Sequence, residues 1–146
     1  MKNQIPKKSL GQNFLRDPKI LKKIADFAQI NKEDTVIEVG PGEGTLTALL
    51  LPRANKVIAI EKDGVLAEAL RVKFEREIVD NRLQIIEGDA LDTKIYDLLS
   101  ISYVLVGNIP YYITGALFKK TLESENPPQS LTFVVQKEVA LRILAK

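Results

Sequence analysis

The sequence predicts a doubly wound α/β fold with a mainly parallel sheet. Three observations carry this prediction. Five short runs rich in β-branched residues alternate with helix-compatible segments over one chain of 146 residues. The apolar runs show little period-2 alternation, as expected of parallel strands covered by helices on both faces. A glycine-rich turn directly follows the first run and opens a helical segment, the position at which such sheets gather ligands.

In chain order, Asp17-Pro18 reads as an N-cap followed by the first helical residue, and Ile20, Leu21, Ile24 and Ala28 recur at helical spacing, giving a helix over about 18–29. The strands are expected at Thr35–Val39, Lys56–Ile60, Leu83–Ile86, Tyr103–Val106 and Leu131–Val135. Helices are expected between and after them at about 45–51, 64–78, 92–99, 113–122 and 137–146. Ser124–Ser130, with its Pro127-Pro128 pair, reads as a surface loop rather than a domain linker. The whole of 1–146 is therefore read as one domain with a basic arm at 1–17.

Composition narrows the chemistry. The chain has no cysteine and no histidine. That removes disulfides, thiolate or imidazole metal sites, cysteine nucleophiles, the Ser-His-Asp triad and the usual general base. No metal is expected. No apolar stretch approaches the roughly 18 residues of a membrane span, and the basic N-terminus lacks the apolar core of a signal peptide, so a cytoplasmic protein is expected. Charge is unevenly placed. Lys2, Lys7, Lys8, Arg16, Lys19, Lys22 and Lys23 face only Asp17 among the first 23 residues, about +6 against about −4 in the remainder. A basic arm on a mildly acidic body suits contact with a phosphate backbone, although a solvated terminus would look the same.

The segment Glu38–Thr45 places glycines at 40, 42 and 44. Glycines let a chain turn sharply at a strand end and approach a ligand with no Cβ between, so a nucleoside is the natural client. The alternative is a tight turn with nothing bound. Thr45 stands where the dinucleotide fingerprint needs a third glycine, which weakens a nicotinamide reading. Glu61 ends the second strand, where a carboxylate can accept hydrogen bonds from both ribose hydroxyls, or else cap the next helix. Gly88-Asp89-Ala90 ends the third; Asp89 can accept from an exocyclic amine, or cap a helix starting near Asp92.

The most specific signal is Asn108-Ile-Pro-Tyr-Tyr112, placed after the fourth strand and so beside the same crevice. An adenine N6 lone pair is delocalised into the ring, and N6 becomes nucleophilic only when acceptors hold its hydrogens and favour a pyramidal nitrogen. The Asn108 side-chain oxygen and the Ile109 carbonyl, fixed in direction by Pro110, can be those acceptors, and Tyr111 offers a face for an extruded base. No strong base is required, which accords with a chain lacking histidine and cysteine. A rigid proline loop with two half-buried tyrosines is the plainer alternative.

With these residues assembled, the chain resembles the ribosomal RNA adenine dimethyltransferase family. The resemblance covers the sequence from end to end, through Leu10–Leu15, Glu38–Thr45, Glu61, Gly88–Ala90, Asn108–Tyr112 and Val135–Ala140. It implies a Rossmann-like sheet that binds S-adenosyl-L-methionine and an activity that methylates N6 of two adjacent adenosines in small-subunit ribosomal RNA. By this resemblance Gln12, Asn13 and Leu15 fold over the methionine and ribose end of the cofactor. Gly40 and Gly42 lie in the loop against it, Glu61 holds the ribose, Asp89 and Ala90 take the adenine, and Asn108 stands between sulfonium and target base. The macrolide-resistance methyltransferases of large-subunit RNA share the glycine loop and Asn-Ile-Pro-Tyr, but Tyr112-Ile-Thr and Gln136–Ala140 look more like the small-subunit enzymes.

Family members continue further, through the last strands and a helical C-terminal domain, whereas this sequence ends inside a helical pattern at Val139–Leu144 with no Gly or Pro stop. It reads as cut there. That would leave Leu131–Val135 as an apolar edge strand, and cofactor binding should survive better than turnover. A monomer is expected. The competing functions are a non-catalytic RNA-binding or ribosome-assembly factor, supported by the basic arm but not by an intact Asn108-Ile-Pro-Tyr, and a nicotinamide-dependent oxidoreductase.

Overall fold

The computed structural model describes residues 14–91, Lys94, Tyr96 and residues 101–145. Helix α1 spans Pro18–Phe27 and starts where Asp17 accepts from the amides of Lys19 (2.9 Å) and Ile20 (3.5 Å). Strand β1 (Thr35–Val39), helix α2 (Thr45–Leu50) and strand β2 (Lys56–Glu61) follow. Helix α3 (Gly64–Lys73) is capped by Asp63, and a short helix α4 (Glu75–Val79) leads to β3 (Leu83–Glu87). Beyond it lie β4 (Tyr103–Asn108), α5 (Thr114–Leu122), β5 (Ser130–Val134) and α6 (Lys137–Leu144).

The five strands form one parallel sheet in the order β3-β2-β1-β4-β5. Successive residues of β1 go to opposite faces, yet both faces are apolar and covered. Val36 joins Val57, Ala59, Val104 and Val106 in a core closed by Leu21, Ile24, Leu46, Leu50 and Leu70. Ile37 and Val39 join Ile58, Ile60, Leu105 and Leu117 in the other. The missing period-2 signal thus has its physical cause: strands covered on both faces carry apolar residues at successive positions, as Val36-Ile37 and Val57–Ile60 do.

The chain leaves β1 toward β2 and β3, then returns to the other side of β1 as β4. The two directions of winding part at the carboxyl ends of β1 and β4, which opens a crevice between their following loops. Gly40 begins one loop, and Asn108 ends the strand beside it.

Two elements differ from the sequence-based expectation by more than a residue for reasons of packing. The helix expected over 64–78 is broken at Phe74, whose backbone leaves helical geometry (φ −115°, ψ 29°). Its ring is thereby buried, where a Cβ on Gly44 would lie only 2.6 Å from it. Strand β4 runs two residues further than expected, so Asn108 lies in the sheet, paired in register with Val134. Gly107 permits this: a Cβ there would meet the Val39 carbonyl oxygen at 2.7 Å and Ile109 Cδ1 at 2.6 Å, so only glycine fits between the neighbouring strands. The helix expected over 92–99 falls almost wholly outside the described residues.

Candidate functional site

The loop after β1 is built from three left-handed glycines, Gly40 (φ +69°), Gly42 (φ +58°) and Gly44 (φ +79°). This is a conformation that costs any residue with a Cβ roughly 1–2 kcal/mol. A side chain on Gly40 would meet only the Asn108 carbonyl oxygen, at 3.6 Å, so the glycine leaves room beside the cavity rather than filling a crowded place. On Gly42 a Cβ would stand 3.3 Å from the Phe14 ring, so the end of the N-terminal arm lies over the loop. Thr45 Oγ1 donates to the Leu15 carbonyl (3.1 Å), and Arg16 makes a two-pronged contact with Glu43 (3.0 and 2.9 Å).

Glu61 is buried at the end of β2, only 6% exposed. One carboxylate oxygen accepts from the Gly42 amide (3.0 Å) and the other from the Asp63 amide (2.9 Å). The helix cap is Asp63, so Glu61 is freed from that duty and ties the glycine loop to the β2 end instead. Its pKa is raised, because burial outweighs the stabilising backbone amides. Each oxygen keeps acceptor capacity for a further donor, such as a hydroxyl.

Glu38, on β1 beneath the loop, is wholly buried and accepts from Thr47 Oγ1 at 2.6 Å. Desolvation pushes its pKa up to about 7, against the Thr47 bond that lowers it, and the neighbouring Glu61 charge adds to the rise. The two carboxyls at the ends of β1 and β2 are thus both shifted by the same cause.

Asp89 lies beyond β3. Its Oδ1 accepts from the Leu91 amide (2.9 Å), the local capping role weighed for it, and its Oδ2 pairs with Lys62 Nζ at 2.7 Å. The Lys62 hydrogen bond holds its carboxyl below the ordinary range, so Asp89 is an ionised acceptor.

Gly40, Gly42, Glu61, Asp89, Ala90 and Asn108 line one cavity. Gly88 and Lys62 join them, with apolar walls from Phe14, Leu66 and Ile113. A buried carboxylate with spare acceptor capacity, an ionised acceptor and apolar sides within one space are complementary to a nucleoside. Leu15 lies in an adjoining hollow with Gly40, Glu38 and Asn108. Gln12 and Asn13 lie outside the described residues.

Asn108 and Pro110 also border a separate hollow, whose other walls are Ile109, Tyr111 and Val134–Gln136. They therefore form a partition with a cavity on each side. The Ile109 side chain is buried and its amide donates to the Val134 carbonyl (3.1 Å), which fixes the segment to β5. The Pro110 carbonyl accepts from the Ile113 amide (3.2 Å) and Thr114 Oγ1 (3.1 Å), joining the segment to the first turn of α5. Tyr111 and Tyr112 meet edge to face, with ring centroids 5.7 Å apart. Tyr111 faces the hollow at β5 and Tyr112 the nucleoside-like cavity. Tyr111 is 60% exposed, which leaves its ring accessible to a planar partner.

Residue-type reasoning did not single out Phe14, Lys62 or Leu66. Lys62 was reachable in principle: the parallel register pairs Glu61 with Glu87, which brings the residue after β2 beside Gly88 and Asp89. Phe14 and Leu66 carry no chemical signature, since an apolar side chain reads as core until the fold places it on a cavity wall.

Residues 3–146 match the family model described as ribosomal RNA adenine dimethylase. The chain is 45% identical over 142 residues to ribosomal RNA small subunit methyltransferase A of Dehalococcoides mccartyi, covering 96% of this chain and 48% of that protein. It spans about half the length of the curated relatives it matches. Among solved structures, a dimethyladenosine transferase from Plasmodium falciparum superposes with a TM-score of 0.75 at 36% identity, over 92% of this chain and 47% of that one. The 23S rRNA methyltransferase ErmE superposes with the same TM-score at 35% identity, over 88% and 50%. The chain belongs to the ribosomal RNA adenine dimethylase family.

Proposed function

We propose that residues 1–146 are the S-adenosyl-L-methionine-binding, methyl-transferring domain of an enzyme that methylates N6 of adenine in small-subunit ribosomal RNA. The observation that carries this reading is the partition: Asn108 and Pro110 border two cavities at once, one suited to a nucleoside and one bearing an accessible aromatic face. Methyl transfer needs that geometry, a donor and an acceptor meeting across a short wall of hydrogen-bond acceptors.

In the first cavity Glu61 would hold the ribose hydroxyls and Asp89, beside Ala90, the adenine amine. Gly40 and Gly42 would give backbone approach, with Gln12, Asn13 and Leu15 of the arm covering the methionine end. The bound cofactor supplies a sulfonium methyl, an electrophile strong enough to need no metal and no strong base. Across the partition the Asn108 side-chain oxygen and the Ile109 carbonyl would accept hydrogen bonds from the N6 amino group and so localise the nitrogen lone pair. Pro110 fixes the direction of that carbonyl, and Tyr111 stacks on the extruded base. Excluding water and holding the two partners in line is then most of the catalysis.

Small-subunit RNA is favoured over large-subunit RNA by the names of the curated relatives, ribosomal RNA small subunit methyltransferase A at 45% identity in Dehalococcoides mccartyi and Clostridium botulinum. An RNA substrate also suits the excess of lysine and arginine in the first 23 residues. Among the described residues no helix is long and apolar enough to cross a membrane. A cytoplasmic site of action, where ribosomes mature, belongs to the same proposal.

The reading is tested by transfer of labelled methyl from S-adenosyl-L-methionine to unmethylated small subunits, with Asn108→Ala beside the unaltered sequence in the full-length protein. Asn108→Ala should lower the rate by at least about 100-fold, the scale of losing one transition-state hydrogen-bonding group, with label recovered as N6-methylated adenosine. Label on another atom, or an undiminished rate, would overturn it.

A further inference from the structure

Among the described residues of the arm, Phe14 lines the nucleoside-like cavity and Leu15 the hollow beside it, and an ion pair follows them directly in the chain. Arg16 lies just after Phe14 and Leu15, and its guanidinium donates to both Glu43 oxygens, from Nε at 3.0 Å and from Nη2 at 2.9 Å. This is the two-pronged arrangement in which arginine and carboxylate bind with directional specificity. The same guanidinium carbon lies 5.8 Å from the centre of the Phe14 ring. It therefore steadies the aromatic wall of the cavity as well as the loop. Glu43 is a member of the glycine loop, between Gly42 and Gly44, and Lys73 Nζ donates to its carbonyl at 2.8 Å. Phe14 lies over Gly42, and the Gly42 amide is held by Glu61. Arm, loop and β2 end thus form one continuous set of contacts around the cavity.

We propose that Arg16 and Glu43 are a positioning pair that fastens the arm across the glycine loop, so that cofactor affinity depends on an ion pair remote from the cofactor's own polar contacts. The proposal rests on the cofactor reading above. Neither side chain lines the nucleoside-like cavity; they act through Phe14, Leu15 and the loop backbone. One consequence concerns RNA: the Arg16 charge is committed to the cofactor loop, and phosphate contact falls to the arm's lysines.

The test uses the purified 146-residue chain and S-adenosylhomocysteine. Arg16→Met and Glu43→Gln should each weaken binding by about fivefold, the effect of a well-formed exposed pair that also orders a segment. The double variant should be no weaker than either single one, since both remove one interaction. Arg16→Lys should recover only part of the loss because it lacks the fork, and added salt should narrow the gap between the variants and the unaltered chain. In the ligand-free chain both single variants should speed hydrogen exchange over residues 14–17. Additive single effects, or unchanged affinity with unchanged exchange, would refute the pair. Failure of the unaltered chain to bind would instead remove the cofactor reading, and the exchange measurement would still decide whether the pair holds the arm.

Discussion

Glu38 shows how one residue sets a property of the whole chain. Its folded pKa of about 7 lies above the ordinary value of 4.5, so the native state holds a proton that the unfolded chain has released. The stabilisation is fully present below about 4.5 and is lost as pH rises toward about 7. A shift of that size corresponds to about 3 kcal/mol. Glu61 is raised too, and acts in the same direction. Glu38→Gln keeps an acceptor for Thr47 Oγ1 and cannot ionise, so its stability relative to the unaltered chain should improve as pH rises through that window. Denaturant unfolding across the window checks this, and a pH-independent difference would contradict it. At this scale the sequence was informative wherever chemistry picks a residue type. Glu61, Asp89, Asn108 and Pro110 were legible because carboxylates, an amide and a proline at strand ends have few structural reasons to be there. Phe14 and Lys62 were not, because their roles come from neighbours distant in the chain.

At the scale of elements, strand and helix positions followed from residue type and spacing to within a residue or two in most cases. The exceptions have packing causes. Helical periodicity runs through Phe74 without interruption, and nothing local marks the break. It occurs because the ring fills the space left beneath Gly44, a contact of |i−j| = 30 that periodicity cannot register. Phe74→Ala should cost about 3–5 kcal/mol, the range for deleting a buried phenylalanine. It should also loosen the glycine loop above, measurable as faster hydrogen exchange over residues 40–44. A loss below about 1 kcal/mol would mean that the ring does not support the loop. Gly107 tells a similar story. It reads as a strand end in sequence, yet it continues β4 because the flanking chain leaves no room for a side chain. That continuation sets Asn108 in register with Val134 and so fixes the partition.

At the scale of the molecule, the order β3-β2-β1-β4-β5 gathers the site. Glycine loop, Glu61, Asp89 and Asn108 lie far apart in sequence and meet because each follows or ends a strand at the same edge of a parallel sheet. The alternation of strands and helices made this convergence legible before any coordinates. The partition was less so, since a single sequence gives no measure of which loop faces β5. The covalent step asks more of the molecule than binding does. The residues proposed to face the cofactor all lie between positions 12 and 108, whereas the relatives carry about as much chain again. Methyl transfer to RNA should therefore be weaker in this chain than in a full-length relative, while cofactor affinity is comparable.

Titration calorimetry of the purified chain with S-adenosyl-L-methionine, alongside Glu61→Ala and Asp89→Ala, decides whether the carboxylates at the ends of β2 and β3 hold the cofactor. Saturable one-to-one binding is expected, weakened at least about tenfold by each substitution, the equivalent of about 1.4 kcal/mol. No binding by a folded chain, or affinity indifferent to both carboxylates, would contradict it.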